Sequence, residues 1–581
     1  MNKTTCPLDC YDACGVIYEN DKLLGDMAHP ITKGYLCPNL NGFLKEPRIL
    51  KPRFKSKEIE MDEAIGILSS MLKKCEGKKS IYFKGSGNFA KLQDSPIHFF
   101  SKFGAVFTKG SLCDGGGEAG VVAGRGESLC LPYEQIRKSR VVVVWGRNIS
   151  VSNSHFKDLI KDKILIVIDP VKTSVAKKAA IHLQIKPRED FYLALLFARF
   201  AYIEQMEDYD FIDKYTNDFD YFVDFFRSFT IKDLSQRVGV ELGDVLTALM
   251  LMEKEKVCFL VGVGVQKYTN GSSVLRAIDS FAAMMGFFGK EGCGVSYLSN
   301  SSLGFKNIFE KGKNTVSIAN VDFSRYDLAF IQGANPANQM PNTKRVTDSL
   351  LKCKFKVYFG LYENETSKLA DLVIPAKNFL QKDDVRFSYG SDFIGLMPKL
   401  TESETGISEV DLTNRLCEEF GYEKLPDEKT LIEEIVGNNV YEKDGYLRSK
   451  EYQIVPYSDG FYTDDEKFCF MDEYDDDLCE DDGYYFITSK YRHSLNSQFN
   501  RDSHIYLPPS AGFCDGDEVE VVSAYGEYRF KVIVDEDLRF DCVKVHSGTP
   551  GVNYLTPDEC TLEGDSAVFQ DVRVTIKKVD L

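Results

Sequence analysis

Four cysteines near the start of the chain, Cys6, Cys10, Cys14 and Cys37, are spaced as a ligand set. The first three recur at every fourth position, and twenty-two residues separate the third from the last. Four thiolates can hold a cubane iron–sulfur cluster or one zinc ion. Zinc sites more often come as two C-x2-C pairs, whereas three close cysteines and a remote one are the commoner iron–sulfur pattern. A third reading puts Cys6, Cys10 and Cys14 one turn apart on one helix face, packed as core. The Pro, Gly and Asp residues around them leave little core to pack into, which favours iron–sulfur.

Glycines mark a second point of chemistry. Ser80–Lys84 ends at Gly85, Arg140–Trp145 at Gly146, Val257–Val261 at Gly262 and Gly264, and Leu328–Gln332 at Gly333. In open α/β sheets, ligands bind beyond the carboxyl ends of the strands. Glycine there lets the backbone approach a phosphate, and the next helix offers free N–H groups. Asp169 follows the run Ile164–Ile168, about twenty residues after Gly146, where a carboxylate suits a ribose hydroxyl or a base edge. Gln266, Tyr268 and Asn270 after Gly264 add donors and acceptors. The competing reading makes each glycine an ordinary turn residue; their recurrence argues against it for the set.

These sites need a frame. Helical patterns over Met61–Lys74, Phe191–Ile203 and Val274–Met285 alternate with the apolar runs, which predicts parallel sheets covered by helices on both faces. Residues 1–50 have little periodicity and must be organised by something other than a hydrophobic core. Asp464–Asp482 is dense in acid and reads as a solvated linker. Beyond it, Tyr484–Thr488, Glu518–Ser523, Tyr528–Val534, Cys542–His546 and Val572–Lys578 predict an all-β domain, a barrel.

The totals narrow the partners. A chain of 581 residues suggests three or four domains. Lys plus Arg number 71 against 88 for Asp plus Glu, a net charge of −17. That argues against nucleic acid, but not against a small anionic cofactor held by backbone amides. No stretch reaches the ~20 apolar residues of a membrane span. MNKTTCPLDC has neither an apolar signal core nor twin arginines, so the protein is expected in the cytoplasm. There its sixteen cysteines are not expected to form structural disulfides. Cys258 and Cys353 lie in apolar runs and read as core thiols.

CPLDCYDAC followed by KGYLCPN resembles the N-terminal segment of molybdopterin oxidoreductases of the dimethyl sulfoxide reductase family. The resemblance continues in order through VVVVWGRNISVSNSH, VIDPVKTSVAKKAAIHLQIKPREDF, VGVGVQKYTNG, GFFGKEGCGV, IQGANPANQMPNT, ENETSKLADLVIPAKNFLQKDD, SKYRHSLNSQF, DGDEVEV and GVNYLT. It implies an α/β multidomain fold: a small iron–sulfur domain over 1–50, a discontinuous α/β domain over 51–138 and 347–463, and an α/β dinucleotide-binding domain over 139–346. An acidic linker, 464–482, would lead to a double-psi β-barrel over 483–581 that also binds the dinucleotide.

The same resemblance implies a [4Fe-4S] cluster on Cys6, Cys10, Cys14 and Cys37, and two molybdopterin guanine dinucleotides on one molybdenum or tungsten ion. Trp145, Gly146, Asn148, Asp169, Gly264, Gln266, Gly333, Asn335 and Asp371 would lie in cofactor loops, joined by the strand-end Gly85. His493, Asn496, Ser497 and Asn553 would reach the cofactors from the barrel, although His493 also reads as an interface histidine. Relatives often supply one protein ligand to the metal from a loop after the first α/β unit. Here that loop is GSLCDGGGEAG, so Cys113 is the candidate ligand, its thiolate suited to a soft metal site. Gly115–Gly117 would allow close approach of the cofactor. Asp114 is a candidate proton acceptor beside Cys113, or else a turn-forming Asp.

Departures shape the expected function. Many relatives carry Lys two residues after the fourth cysteine; here it is Asn39, with Lys33 a candidate replacement. Formate dehydrogenases place His directly after the metal ligand, and nitrate reductases show Cys-Met; Asp114 matches neither. The leading expectation is two-electron chemistry on a small molecule, with electrons passing through the cluster to or from a carrier protein or iron–sulfur subunit. The alternatives are a metal-free relay or structural subunit of the same fold, and a non-redox tungsten hydratase.

Overall fold

Thr5 pairs with Gly15 across two antiparallel strands, Asn2–Thr5 and Gly15–Glu19, and so closes the loop that carries three of the cysteines. A third strand, Lys22–Gly25, completes this small sheet. The computed structural model describes residues 2–403, 405–474 and 482–579. Residues 6–14 form turns and no helix, so the reading of Cys6, Cys10 and Cys14 as one helix face is corrected: Pro7 and the short Asp-rich sequence do not sustain one. Cys37 immediately precedes the short helix Pro38–Gly42.

Two parallel sheets form the body, built on the apolar runs. One has five strands in the spatial order Ile181–Leu183, Ile164–Ile168, Val141–Trp145, Val257–Val261, Gly294–Ser296. The other places Thr315–Ser317, Val106–Lys109, Ser80–Lys84, Leu328–Gln332, Phe355–Gly360 and Leu372–Pro375 side by side, with the short antiparallel pieces Arg53–Phe54 and Lys57–Glu58 at its edge. In each sheet the strand order reverses once. The reversal falls between Val141–Trp145 and Val257–Val261 in the first, and between Ser80–Lys84 and Leu328–Gln332 in the second. Neighbouring connections leave in opposite directions at such a point and open a crevice. The strands there end at Gly146, Gly262, Gly85 and Gly333. Gly146 has φ +57°, and a side chain on Gly85 would lie 2.6 Å from the Gly333 carbonyl oxygen, so neither crevice mouth tolerates a larger residue.

The boundaries differ from expectation. Leu328–Gln332 is fully buried between Ser80–Lys84 and Phe355–Gly360, so the segment through residue 346 does not stay with the five-stranded sheet. Conversely, helix Gly115–Arg125 lies against helix Gly271–Met284 of the five-stranded unit, where a side chain on Gly120 would meet the Ser272 carbonyl oxygen at 2.0 Å. The acidic segment also departs from a solvated linker. Phe468–Cys469 pairs in parallel with Thr216–Asn217, Phe468, Phe470 and Met471 are buried in the core around Trp145, and Tyr474 stacks on Phe191 at 3.9 Å. Burying these apolar residues outweighs the solvation of the acids between them. Residues 475–481 of that segment lie outside the described residues.

The C-terminal region is a closed barrel of six strands: Tyr484–Ser489, Cys542–His546, His504–Leu507, Glu527–Val534, Glu518–Val522 and Arg573–Lys578. Parallel and antiparallel pairs alternate over part of its circumference. No helix among the described residues is long and apolar enough to cross a membrane.

Candidate active site

The crevices of both sheets, the cysteine loop and the barrel rim open onto one interior cavity of about 1470 Å³. Its wall includes Cys6, Cys10, Cys14, Cys37, Asn39, Gly85, Cys113, Asp114, Gly146, Asn148, Asp169, Gly264, Asn335, Asn496 and Asn553. Residues far apart in sequence therefore face a single space.

Arg386, fully buried on strand Asp384–Phe387, holds the cysteine loop. Its guanidinium donates to the carbonyls of Cys6, of Leu8 at 2.6 Å and of Cys10 at 2.5 Å. Cys6 N–H donates to Cys14 O at 2.9 Å. His155 Nε2 lies 3.4 Å from Cys14 Sγ, and Asp12 Oδ1 accepts from Tyr133 OH at 2.8 Å. Burial is the main cause of a raised pKa at all four cysteines, with neighbouring thiols adding to it at Cys6, Cys10 and Cys14 and Asp12 at Cys37; Cys6 is pushed up to about 12. Four thiols that disfavour ionisation are a donor set that a cation would stabilise as thiolates. Among the described residues, no three His, Cys, Asp or Glu side chains are gathered as a single-ion site requires.

Cys113 stands on the loop between strand Val106–Lys109 and helix Gly115–Arg125. Ser111 Oγ accepts from the N–H of Cys113 at 2.8 Å and of Asp114 at 3.0 Å. Gln266 clamps the other side: its Nε2 donates to Cys113 O and its Oε1 accepts from Gly117 N–H at 3.0 Å. The thiol is free to face the cavity, with Sγ 3.0 Å from Asp114 Oδ1. Burial inside the molecule, then Asp114 and Asp9, pushes this thiol well up. Gly115–Gly117 do not serve cofactor approach as expected. Side chains there would strike Gly564, Thr561 and Tyr297, so these glycines admit protein neighbours instead.

Polar atoms elsewhere on the wall point to a large polar ligand. Asn148 Oδ1, Arg147 Nη1 and Asn153 Nδ2 are buried with no hydrogen-bond partner among the described residues, a costly state unless a ligand satisfies it. Asp169 accepts from Val171 N–H at 2.8 Å, and burial raises its pKa to about 7. Lys267 is lowered to about 8, by burial first and then by Lys490.

Several expected residues stand back from the wall. Trp145 lies beneath the sheet and donates from Nε1 to Asp190 Oδ1 at 2.6 Å. Gln266 supports Cys113 from behind. Gly333 sits beside wall residue Ala334. Asp371 pairs with Lys356 Nζ at 2.8 Å and accepts from its N–H at 2.8 Å. His493 is exposed, its ring 5.5 Å from that of Tyr491. Ser497 touches wall residue Asn335, whose Nδ2 donates to Ser497 Oγ at 3.0 Å. Lys33 is exposed and does not take the place left by Asn39. Residues that sequence reasoning missed are Asp9, Arg147, His155, Lys267, Arg386 and Lys490. Asp9 lies inside the cysteine motif and could have been noted; Arg386 has no local motif to mark it.

Asp190 provides a pH test. It is buried, and burial raises its pKa to about 7. A carboxyl raised in the folded state gives stability that is full below the unfolded pKa and is lost as pH rises through the folded value. Asp190→Asn is therefore expected to raise the melting temperature of cofactor-free protein relative to wild type at pH 8. The difference should shrink as the pH falls towards 4; parallel curves would show that Asp190 does not titrate there.

Residues 48–393 match the molybdopterin oxidoreductase family. The chain belongs to that family. It is a molybdopterin-dependent oxidoreductase by class, and the family implies a molybdenum or tungsten ion on a pterin cofactor. The probable oxidoreductase YyaE of Bacillus subtilis (strain 168) is 24% identical over 100% of this chain and 99% of its own length. The F420-dependent formate dehydrogenase subunit alpha of Methanocaldococcus jannaschii is 25% identical over 72% of this chain and 70% of its own. The fold matches that of acetylene hydratase from Pelobacter acetylenicus with a TM-score of 0.84 at 16% identity, covering 100% of both chains.

Proposed function

We propose that this protein is a cytoplasmic molybdenum or tungsten bis-pterin enzyme that performs two-electron chemistry on a small substrate, with a [4Fe-4S] cluster passing electrons to or from an external carrier. The observation that carries this reading is the convergence of Cys113 with Cys6, Cys10, Cys14 and Cys37 on one cavity. A cube of iron and sulfur takes its thiolates at separate corners, so these need not close on a point as the ligands of one zinc ion must. The described cysteines are all free thiols, as a reducing compartment requires.

When bound, the metal on its pterin sulfurs supplies the two-electron chemistry. The residues of the chain do the remaining work. Cys113 offers the protein thiolate, and Asp114 Oδ1 is placed to receive its proton. Gly85, Gly146, Gly264 and Gly333 keep backbone close to the two crevices, where two guanine dinucleotides would lie. Arg147, Asn148, Asn153 and Asp169 offer polar atoms to one of them, while Asn335, Asn496 and Asn553 hold the barrel side. Lys267 and Lys490 oppose the anionic charge of the cofactors.

Hydration without net electron transfer is a second reading. Asp9 favours it: this carboxyl shares the cavity wall with Cys113, lies close enough to affect that thiol, and has its pKa raised by burial. Metal analysis of anaerobically purified protein is expected to give about four irons and one molybdenum or tungsten per chain. Iron alone, from a host that makes the pterin cofactor, would point to a relay subunit; zinc alone would overturn the proposal. Turnover without consumption of an electron carrier would select hydration.

A further inference from the structure

We propose that Lys84, Lys91 and Lys311 form a binding site for an oxyanion group on the cavity wall, and that the small substrate is an anion. The inference names the substrate class of the proposed enzyme and rests on that reading.

Three observations carry it. The first is the gathering of like charges. Lys84 ends strand Ser80–Lys84, and Lys91 opens the short turn Lys91–Asp94 that follows. Lys311 belongs to residues 298–314, which cross from the first sheet to the second without helix or strand. All three lysines line the cavity together with Asp94. Asp94 pairs with Lys84 at 2.7 Å. Burial lowers the pKa of both Lys91 and Lys311; Asp94 opposes this shift and Lys84 adds to it. The three ammonium groups thus share Asp94 as their common carboxylate. Asp384 also acts on Lys91, but burial raises its own pKa to about 7, and its Oδ1 accepts from the N–H groups of Leu92 at 2.8 Å and Val385 at 2.9 Å. Glu310, the next carboxylate on this part of the wall, is exposed.

The second is unused hydrogen-bond donors. An ammonium group carries three N–H donors. Lys91 gives one to Ser302 Oγ, and its Nζ stands 4.9 Å from the centre of the Phe387 ring. Lys311 gives one to Thr108 O at 2.9 Å. Neither makes an ion pair among the described residues. Partly buried cations without a counter-ion are costly. An oxyanion supplies the missing acceptors and the missing charge together.

The third is position. The crevice of this sheet lies between Ser80–Lys84 and Leu328–Gln332, where a dinucleotide would sit. Lys311 reaches Thr108 of strand Val106–Lys109, which flanks Ser80–Lys84 on its other side. The lysine patch therefore stands beside the crevice and not in it. From Thr108 the wall continues through Gly110, Ser111 and Leu112 to Cys113, five residues that span at most about 18 Å. Lys267 and Lys490 are a separate basic pair, whose neighbours are Cys113 and Asp9. A chain of net charge −17 repels anions over much of its surface, so a positive patch on this wall is what concentrates them near Cys113.

The test titrates anaerobically purified holoprotein with sodium sulfate, calorimetry reading the affinity. Wild type is expected to bind sulfate, and less tightly as sodium chloride is added. Lys91→Met and Lys311→Met are each expected to weaken binding about tenfold or more, the loss of one charge-assisted hydrogen bond. Lys57→Met, on the exposed edge strand of the same sheet, should leave it unchanged. Iron, molybdenum and tungsten contents should match wild type in all three variants. Failure of wild type to bind sulfate, or an unchanged affinity in both cavity variants, would overturn the anion site. Loss of molybdenum or tungsten from both cavity variants would give the lysines to the cofactor phosphates and overturn the substrate class. Wild type that purifies with iron alone yet binds sulfate through Lys91 and Lys311 would overturn the enzyme reading and leave the anion site standing.

Discussion

Replacing Cys113 by alanine is expected to abolish turnover while leaving the iron content and the visible absorbance of the cluster intact. The separation of these effects follows from how the loop is held. Ser111 and Gln266 bond to the backbone N–H and C=O of Cys113, and these bonds do not depend on its side chain. The thiol itself faces the cavity, and among the described residues it meets Ser111 Oγ at 3.3 Å and Asp114 Oδ1 at 3.0 Å. Alanine therefore removes the proposed metal ligand and keeps the loop. Loss of outer hydrogen-bond partners of a metal site typically costs about 10–100-fold in activity or metal affinity; loss of the ligand itself should exceed that. Asp114→Asn is expected to fall within the smaller range, since it removes only the proposed proton acceptor. Undiminished turnover of Cys113→Ala, at wild-type metal content, would exclude the ligand role.

The second large effect is expected at a residue that touches no cofactor. Arg386→Met should release the cysteine loop. Three carbonyls, those of Cys6, Leu8 and Cys10, lose their donor together. Each buried acceptor left unsatisfied costs about 1–3 kcal/mol, concentrated on nine residues that have no helix or strand of their own. Methionine replaces the volume without the donors, so cavity formation contributes little. The expected readout is iron content on purification, together with the rate of cluster loss to a chelator, which should rise about tenfold or more for even one unmet acceptor. Arg386→Lys, which offers fewer directed donors, should fall between. Wild-type cluster lifetime in Arg386→Met would show that the cluster, once formed, holds the loop without help.

Much of this arrangement was legible in the sequence, for identifiable reasons. Apolar runs such as Val141–Trp145 and Leu328–Gln332 announced buried parallel strands, and their terminal glycines announced the crevices. The cysteine spacing announced the loop, because its meaning is local. What the sequence concealed depends on pairing at a distance. Nothing near Leu328 says that it enters a different sheet from Val257, so the boundary at 346 was misplaced. Nothing in the acids around Phe468 and Phe470 shows that these two aromatics fill the core beside Phe222 and Phe288. Family patterns placed Asp371 and His493 in the site, yet Asp371 is engaged by Lys356 and His493 faces outward. Arg386, Lys267 and Asp190 matter through burial and partners, which no spacing encodes.

The C-terminal region supplies one side of the cavity, including Ser489, Lys490, Asn496, His546, Gly548 and Asn553, from strands and loops that all follow residue 483. The crevices of the two sheets are complete well before this in chain order. A chain emerging from the ribosome at about 5–20 residues per second thus displays both crevices, open on one side, for about 5–20 s before the barrel has been made. The order of synthesis gives maturation a window: the pterin cofactor of the family can be laid onto the sheets from the open side, and closure of the barrel then encloses it. A chain whose barrel docks first would have to reopen that interface to be loaded, so the timing of cofactor supply, as well as its amount, governs how much active protein a cell obtains.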